Sequence, residues 1–142
     1  MALHIAVLKG GWSSEREVSL NSGAACAKAL RDAGYKVSEI DVTRDLEVLV
    51  KNLTPRPDAV FNVLHGKGGE DGVIQGVLAM LDLPVTHSGL LASAIAMDKQ
   101  KTKEILLPHG MPCAEGGLVP IAAIRAGQVP VAPPYGIKPN AE

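Results

Sequence analysis

The sequence predicts an α/β layer fold built around a parallel sheet, and three observations predict it. Apolar runs at 4–8, 35–40, 59–64 and 83–86 read as buried strands. Helical patterns lie between consecutive runs, and helical crossovers between buried strands imply parallel neighbours. Glycine-rich loops at 9–14 and 65–72 follow the first and third strands. In such sheets the ligand crevice lies beyond the carboxyl ends of the strands, so both loops sit at its edge and Glu15 and His65 are expected to face one site.

The elements follow in order. After the first strand, Ser14-Glu15-Arg16-Glu17 has the Ser-x-x-Glu form of a capping box and opens a helix that runs to about Ala33. Val18, Ser22, Ala25 and Ala29 are expected on its close-packing face, with Gly34 as its stop and Cys26 as a small packing residue. Glu15 falls in the first turn, where the helix dipole alone explains a carboxylate. A short helix over 45–53 turns Leu46, Leu49, Val50 and Leu53 inward, and Thr54-Pro55-Arg56-Pro57-Asp58 ends it. The third strand, Ala59 to Leu64, feeds the loop His65-Gly66-Lys67-Gly68-Gly69-Glu70-Asp71-Gly72. Val73, Ile74, Val77, Leu78 and Leu81 then mark a helix burying one face. Four glycines between a buried strand and a helix let bare backbone N–H groups approach a ligand, and the histidine, lysine and carboxylates add chemistry. A plain Gly-rich connector with solvated Lys67 and Glu70 is the simpler alternative.

Helices over 88–96 and 98–109 follow the fourth strand. Lys101 and Lys103 read as a solvated face, His4 and His109 as structural or exposed, and His87 as a local hydrogen-bonding group. Beyond Ala114 the chain is proline-rich, with room for a turn or two of helix over 121–126 and too few apolar residues for a core of its own.

Composition excludes several classes. Of 142 residues 46% are hydrophobic, enough for a core, and the 20% that are charged balance to −1. Such a balance gives no electrostatic case for nucleic acid or an anionic membrane. One Trp, one Phe and two Tyr offer no base-stacking platform. No signal-peptide pattern or spanning apolar run is present, and Cys26 and Cys113 form no C-x-x-C pattern, which suits a reducing cytoplasm and argues against zinc.

With both loops placed, four motifs stand in a recognisable order. They are Gly10-Gly11-Trp12-Ser13-Ser14-Glu15-Arg16-Glu17-Val18-Ser19, His65 through Gly76, Ser88-Gly89 through Met97-Asp98-Lys99, and Tyr135-Gly136-Ile137-Lys138-Pro139. In this the sequence resembles the N-terminal part of the D-alanine–D-alanine ligases, ATP-grasp enzymes of bacterial cell-wall synthesis. The resemblance implies a three-layer open parallel sheet with helices on both faces, of the pre-ATP-grasp, Rossmann-like kind, followed by an incomplete ATP-grasp segment. It divides the chain into a substrate-binding α/β domain over 1–96 and the start of an ATP-grasp domain over 97–142.

The resemblance also implies roles. Glu15 pairs with the ammonium of a first D-alanine, Val18 packs near its methyl group, and His65 lies beside the reacting carboxylate. Gly66, Gly68 and Gly69 let the backbone close on the substrate, and Lys99 and Lys138 reach the ATP phosphates. The magnesium ligands and the arginine that steadies the transferring phosphate fall in the part of the family that would follow Glu142. The expectation is therefore a partial ligase, acting on D-alanine with ATP and Mg2+ in a longer homodimeric cytoplasmic enzyme for peptidoglycan synthesis. The chain alone is expected to be inactive and without measurable nucleotide affinity, with 113–142 poorly packed or held only by a partner. The second substrate, D-alanine, D-lactate or D-serine, is set beyond this sequence. A non-catalytic α/β binding or interaction module is the alternative.

Overall fold

The computed structural model describes residues 2–141; Met1 and Glu142, the outer ends of the two expected segments, lie outside the described residues. The chain forms two compact units, Met1–Ala94 and Ile95–Glu142.

The first unit is built on three parallel strands. They are β1 (His4–Gly10), β2 (Lys36–Val42) and β3 (Ala59–Asn62), ordered β2-β1-β3. Ile5 sits opposite Val37 on one side and Ala59 on the other. Alternation along the strands divides the side chains between two cores. Ala6, Leu8, Ile40, Val42, Val60 and Leu64 pack on one face with Leu49 and Leu53 of the α2 segment (helix Leu46–Asn52) and Ile74 and Leu78 of α3 (Val73–Met80). Val7 and Val63 pack on the other with Ala27 of α1 (Arg16–Asp32), joined by Cys26, Leu30, Val37 and Phe61. Helices thus cover both faces of a parallel sheet, as the sequence predicts.

Several expectations are corrected. The stretch 83–86 makes a single parallel bridge, Val60 to Val85, rather than a fourth strand. Pro84 has no N–H to extend the ladder on one side, and on the other Asn62 N donates to the Thr86 hydroxyl rather than to a strand carbonyl, so pairing stops at the bonds around Val60. α1 begins at Arg16, with Glu15 rather than Ser14 at the N-cap position, and the Glu15 side chain makes no cap bond. Its buried face is Ser19, Gly23 and Ala27, whereas Val18, Ala25 and Ala29 are exposed. The cause is specific. The Ser19 hydroxyl donates to Val63 O at 2.6 Å and accepts from Gly10 N at 2.9 Å. A Cβ on Gly23 would fall 2.5 Å from Lys9 Cβ, so the helix lies against β1 only where it has no side chain. In α2, Leu46 and Val50 are 53% and 40% exposed, leaving Leu49 and Leu53 as its anchors. In α3, Val73 is exposed and Gln75 is buried.

Caps and breaks otherwise follow the sequence. Asp45 caps α2 through Val48 N, and Gly34, at φ 90°, ends α1 with its N–H on Arg31 O.

α4 (Leu90–Met97) carries the chain across the boundary between the units, and Asp98 caps α5 (Lys99–Leu106) through Lys101 N. A 3-10 turn, Leu107–His109, and α6 (Ile121–Arg125) complete the second unit. Lys103 is not a solvated surface lysine, since its ammonium donates to Ala114 O and Gly116 O. Asn140 ties the end of the described chain to α5: its Oδ1 accepts from Gln100 N, its Nδ2 donates to Asp98 Oδ1, and its carbonyl accepts from Lys99 N. Residues 113–141 are thus mostly exposed but pinned at two points.

Two measurements test this packing. Gly23→Ala gains about 1 kcal/mol of helix propensity but overpacks Lys9 by about 1–3 kcal/mol, so urea unfolding should show a net loss of stability. Glu39 receives Lys9 at 2.5 Å and Arg31 at 2.7 Å, and these hydrogen bonds, Lys9 first, hold its carboxyl below the ordinary range. A lowered folded-state pKa gives stability that is full above about pH 4.3 and lost as pH falls through the folded value. Melting of Glu39→Gln should therefore depend less on pH on the acid side than melting of the parent.

Candidate functional site

Both glycine loops close over the carboxyl edge of the sheet. The first leaves β1 with Gly10 and Gly11 at φ 82° and 80°, and Gly11 N donates to Val42 O at 3.0 Å, crossing to the end of β2. Arg16 fixes this turn. Its guanidinium donates to Gly11 O at 3.0 Å and grips Asp41 with two bonds, at 2.8 and 2.7 Å. The Asp41 carboxyl is held below its ordinary range by that hydrogen bonding.

Ser13 then joins the two loops. Its hydroxyl donates to His65 O at 2.7 Å and accepts from Glu15 N at 3.1 Å. As a result the Glu15 carboxylate lies beside Gly66: a Cβ there would sit 3.0 Å from Glu15 Oε2, and φ is 65°. Glycine is required at 66 on both counts. His65 is half-buried, and its Nε2 is buried without a hydrogen-bond partner among the described residues. A buried polar atom left open in this way is costly unless something else completes it. Val18 stands one turn after Glu15 on the same helix flank and is 53% exposed.

The second loop differs from the expectation of bare backbone donors. Gly66 N donates to Glu70 Oε2 at 2.6 Å, Gly68 N to Asp71 Oδ2 at 2.8 Å, and Gly69 N and Glu70 N both reach Gly66 O. The loop's own carboxylates and carbonyl consume those N–H groups, so its chemistry is carried by side chains. Asp71, just before the Gly72 N-cap, also accepts from Val73 N at the start of α3. Gly69 O receives Asn62 Nδ2 at 3.0 Å and Gln75 Nε2 at 2.8 Å, while Asn62 Oδ1 accepts from Leu64 N. His87 Nδ1 lies 3.4 Å from each of those amide nitrogens, the local hydrogen-bonding role expected of it. Gly68, at φ 88°, underlies Trp12, whose Cζ2 would be 2.2 Å from a Cβ there.

Glu15, Val18, His65, Gly66, Gly68 and Gly69 all belong to the first unit. Lys99 and Lys138 belong to the second, where Asn140, two residues beyond Lys138, accepts from the Lys99 backbone. Ser13, Asn62 and Gln75 are not singled out in the sequence reading. The last two carry a signal there, each being an amide inside an otherwise apolar run.

No family model matches the chain. Curated relatives do. The D-alanine–D-alanine ligase of Xanthobacter autotrophicus is 57% identical over 142 residues, spanning 99% of this chain and 45% of that protein. That of Azorhizobium caulinodans is 53% identical over 140 residues, with the same coverage of 99% and 45%. The chain is a homologue of the D-alanine–D-alanine ligases. It spans about 45% of the length of these ligase relatives. Solved structures agree with the fold. The Bacillus anthracis ligase complexed with ATP superposes with a TM-score of 0.70 at 36% identity, covering 80% of this chain and 39% of that one. The Coxiella burnetii ligase does so at 0.68 and 31%, covering 80% and 43%.

The Asn62 clamp is testable. Asn62→Leu strips one donor from Gly69 O and leaves Leu64 N without its acceptor. Denaturant unfolding should show a loss of about 1–3 kcal/mol, the scale of a buried polar group left open.

Proposed function

We propose that this chain supplies the first-substrate site of a D-alanine–D-alanine ligase, with 1–96 as the substrate-binding domain and 97–142 as the start of the ATP-grasp domain. The observation that carries the reading is the meeting of the two loops through Ser13, with the Glu15 carboxylate beside Gly66 and the open, buried Nε2 of His65 on the adjoining residue. The homology to ligases over 99% of the chain supports it.

In this reading ATP phosphorylates the carboxylate of one D-alanine, the amine of a second attacks the acyl phosphate, and phosphate leaves. Glu15 holds the first ammonium by a charge-assisted bond, with Val18 near the methyl group. His65 turns its open nitrogen to the carboxylate oxygen that gains charge. Gly66, Gly68 and Gly69 keep side chains out of the approach. Lys99 and Lys138 meet the nucleotide phosphates as point charges. The proposal extends to a homodimeric cytoplasmic enzyme of peptidoglycan synthesis. No helix among the described residues is long and apolar enough to cross a membrane. Among the described residues no group of three or more His, Cys, Asp or Glu is placed to hold a metal ion.

Two variants in a full-length ligase carrying this segment test the reading. Glu15→Gln should raise KM for the first D-alanine by the equivalent of about 1.5–3 kcal/mol and leave melting nearly unchanged. His65→Ala should lower kcat about 10²-fold or more, with a smaller change in nucleotide KM. A melting shift with normal kinetics would return Glu15 to the role of a helix-end charge, and normal turnover would reduce His65 to a loop residue.

A further inference from the structure

A second feature of the first unit is independent of the ligase reading. The segments that follow the three strands converge on a recess of about 300 Å³ lined by Trp12, Arg44, Lys67, Gly68, Asp71 and Val73. It lies on the side of the loops away from Glu15, since Trp12 packs against the core shared with α2 and α3 whereas Glu15 opens α1. We propose that this recess binds a small phosphate-bearing molecule through Arg44 and Lys67.

The charges point to an anion. Asp71 also lines the recess and keeps its charge, but its two oxygens are turned to backbone, accepting from Gly68 N and Val73 N. Arg44 and Lys67 have no carboxylate partner among the described residues. This sets Arg44 apart from the unit's other arginines, because Arg16, Arg31 and Arg56 each face a carboxylate. Arg44 instead lies over an aromatic face, its Cζ 5.6 Å from the centroid of the Trp12 ring. The ring in turn rests on Gly68, where a side chain would collide with it. A guanidinium held by an aromatic face keeps its N–H fork for an incoming oxyanion, and Lys67 adds a mobile point charge across the same recess. A phosphate monoester carries about −1.5 to −2 at neutral pH and offers three acceptor oxygens, enough to meet the Arg44 fork and the Lys67 ammonium together.

Trp12 is the single tryptophan of the sequence, so the site reports on itself. The 142-residue chain is titrated with inorganic phosphate at constant ionic strength, with sodium acetate and sodium chloride as controls, and Trp12 emission is followed. Arg44→Gln and Lys67→Gln are titrated by calorimetry as well, because the first also alters the surroundings of Trp12. The expected result is a saturable emission change with phosphate alone, and a dissociation constant at least fivefold weaker in each variant while circular dichroism and melting stay at the parent values. A response that fails to saturate, an equal response to acetate, or unchanged affinity in both variants would overturn the proposal. None of these outcomes bears on the kinetics of Glu15 or His65, so the two readings fail separately.

Discussion

The first unit depends on one buried hydroxyl. Ser19 has no exposed surface, and it bonds at once to the N–H that ends β1 and to a carbonyl just past β3. Three elements are thereby fixed by a single side chain: helix α1, the turn that leads to Trp12 and Glu15, and the strand exit that leads to His65. Each bond has a modest net worth, about 1 kcal/mol, but two backbone groups would be orphaned in the interior without it. Gly23, one turn on, lets α1 come close enough for the hydroxyl to reach. Polar satisfaction and close approach are here the same constraint, since a larger residue at 23 lifts the helix and strands both bonds.

From that fixed point the loops become rigid in a particular way. Ser13 ties the first loop to the His65 carbonyl, and Asn62 and Gln75 clamp the Gly69 carbonyl from below. Glu70 and Asp71 tie off N–H groups from within. A glycine-rich loop usually suggests a cradle of free amides, as at phosphate sites. Here the amides of 66, 68, 69 and 70 are spent, and glycine serves close packing: Gly66 against Glu15, Gly68 against Trp12, Gly69 against Leu64. What remains open among the described residues is the Nε2 of His65, the Oε1 of Gln75 and the outward cations. Preorganisation of that kind favours side chains that act at a fixed distance over a backbone that folds around its ligand.

The layers of the fold are legible in the sequence because they rest on hydrophobic periodicity. Buried runs separated by helical patterns have few other solutions, and β1, β2, β3 and their crossover helices follow from them. The rotation of α1 is not legible in the same way. Its sequence is rich in small residues, so Val18, Ala25 and Ala29 look as suitable for packing as Ser19, Gly23 and Ala27, and only two tertiary bonds separate the faces. The fourth strand fails for a local reason, Pro84, whose effect on a ladder is visible once the partner strand is known. Within the site, Glu15 and His65 announce themselves by loop position. Ser13, Asn62 and Gln75 do not, because their partners lie 52, 7 and 6 residues away and sequence gives no sign of which carbonyl each will meet.

The two sides of the loops also divide the chemistry by charge. On the α1 side a carboxylate and a half-buried imidazole stand together. On the α2 and α3 side two cations stand with an aromatic ring and with the Asp71 carboxylate, whose oxygens accept from two backbone N–H groups. Gly66 and Gly68, two residues apart in one rigid turn, each lie against a side chain from the first loop, Glu15 in one case and Trp12 in the other. Any ligand that shifted the turn on one side would therefore press on a side chain of the other. The same close packing holds both sides of the loop in shape, because hydrogen bonds tie it at 66, 68, 69 and 70 and it cannot yield at one residue alone.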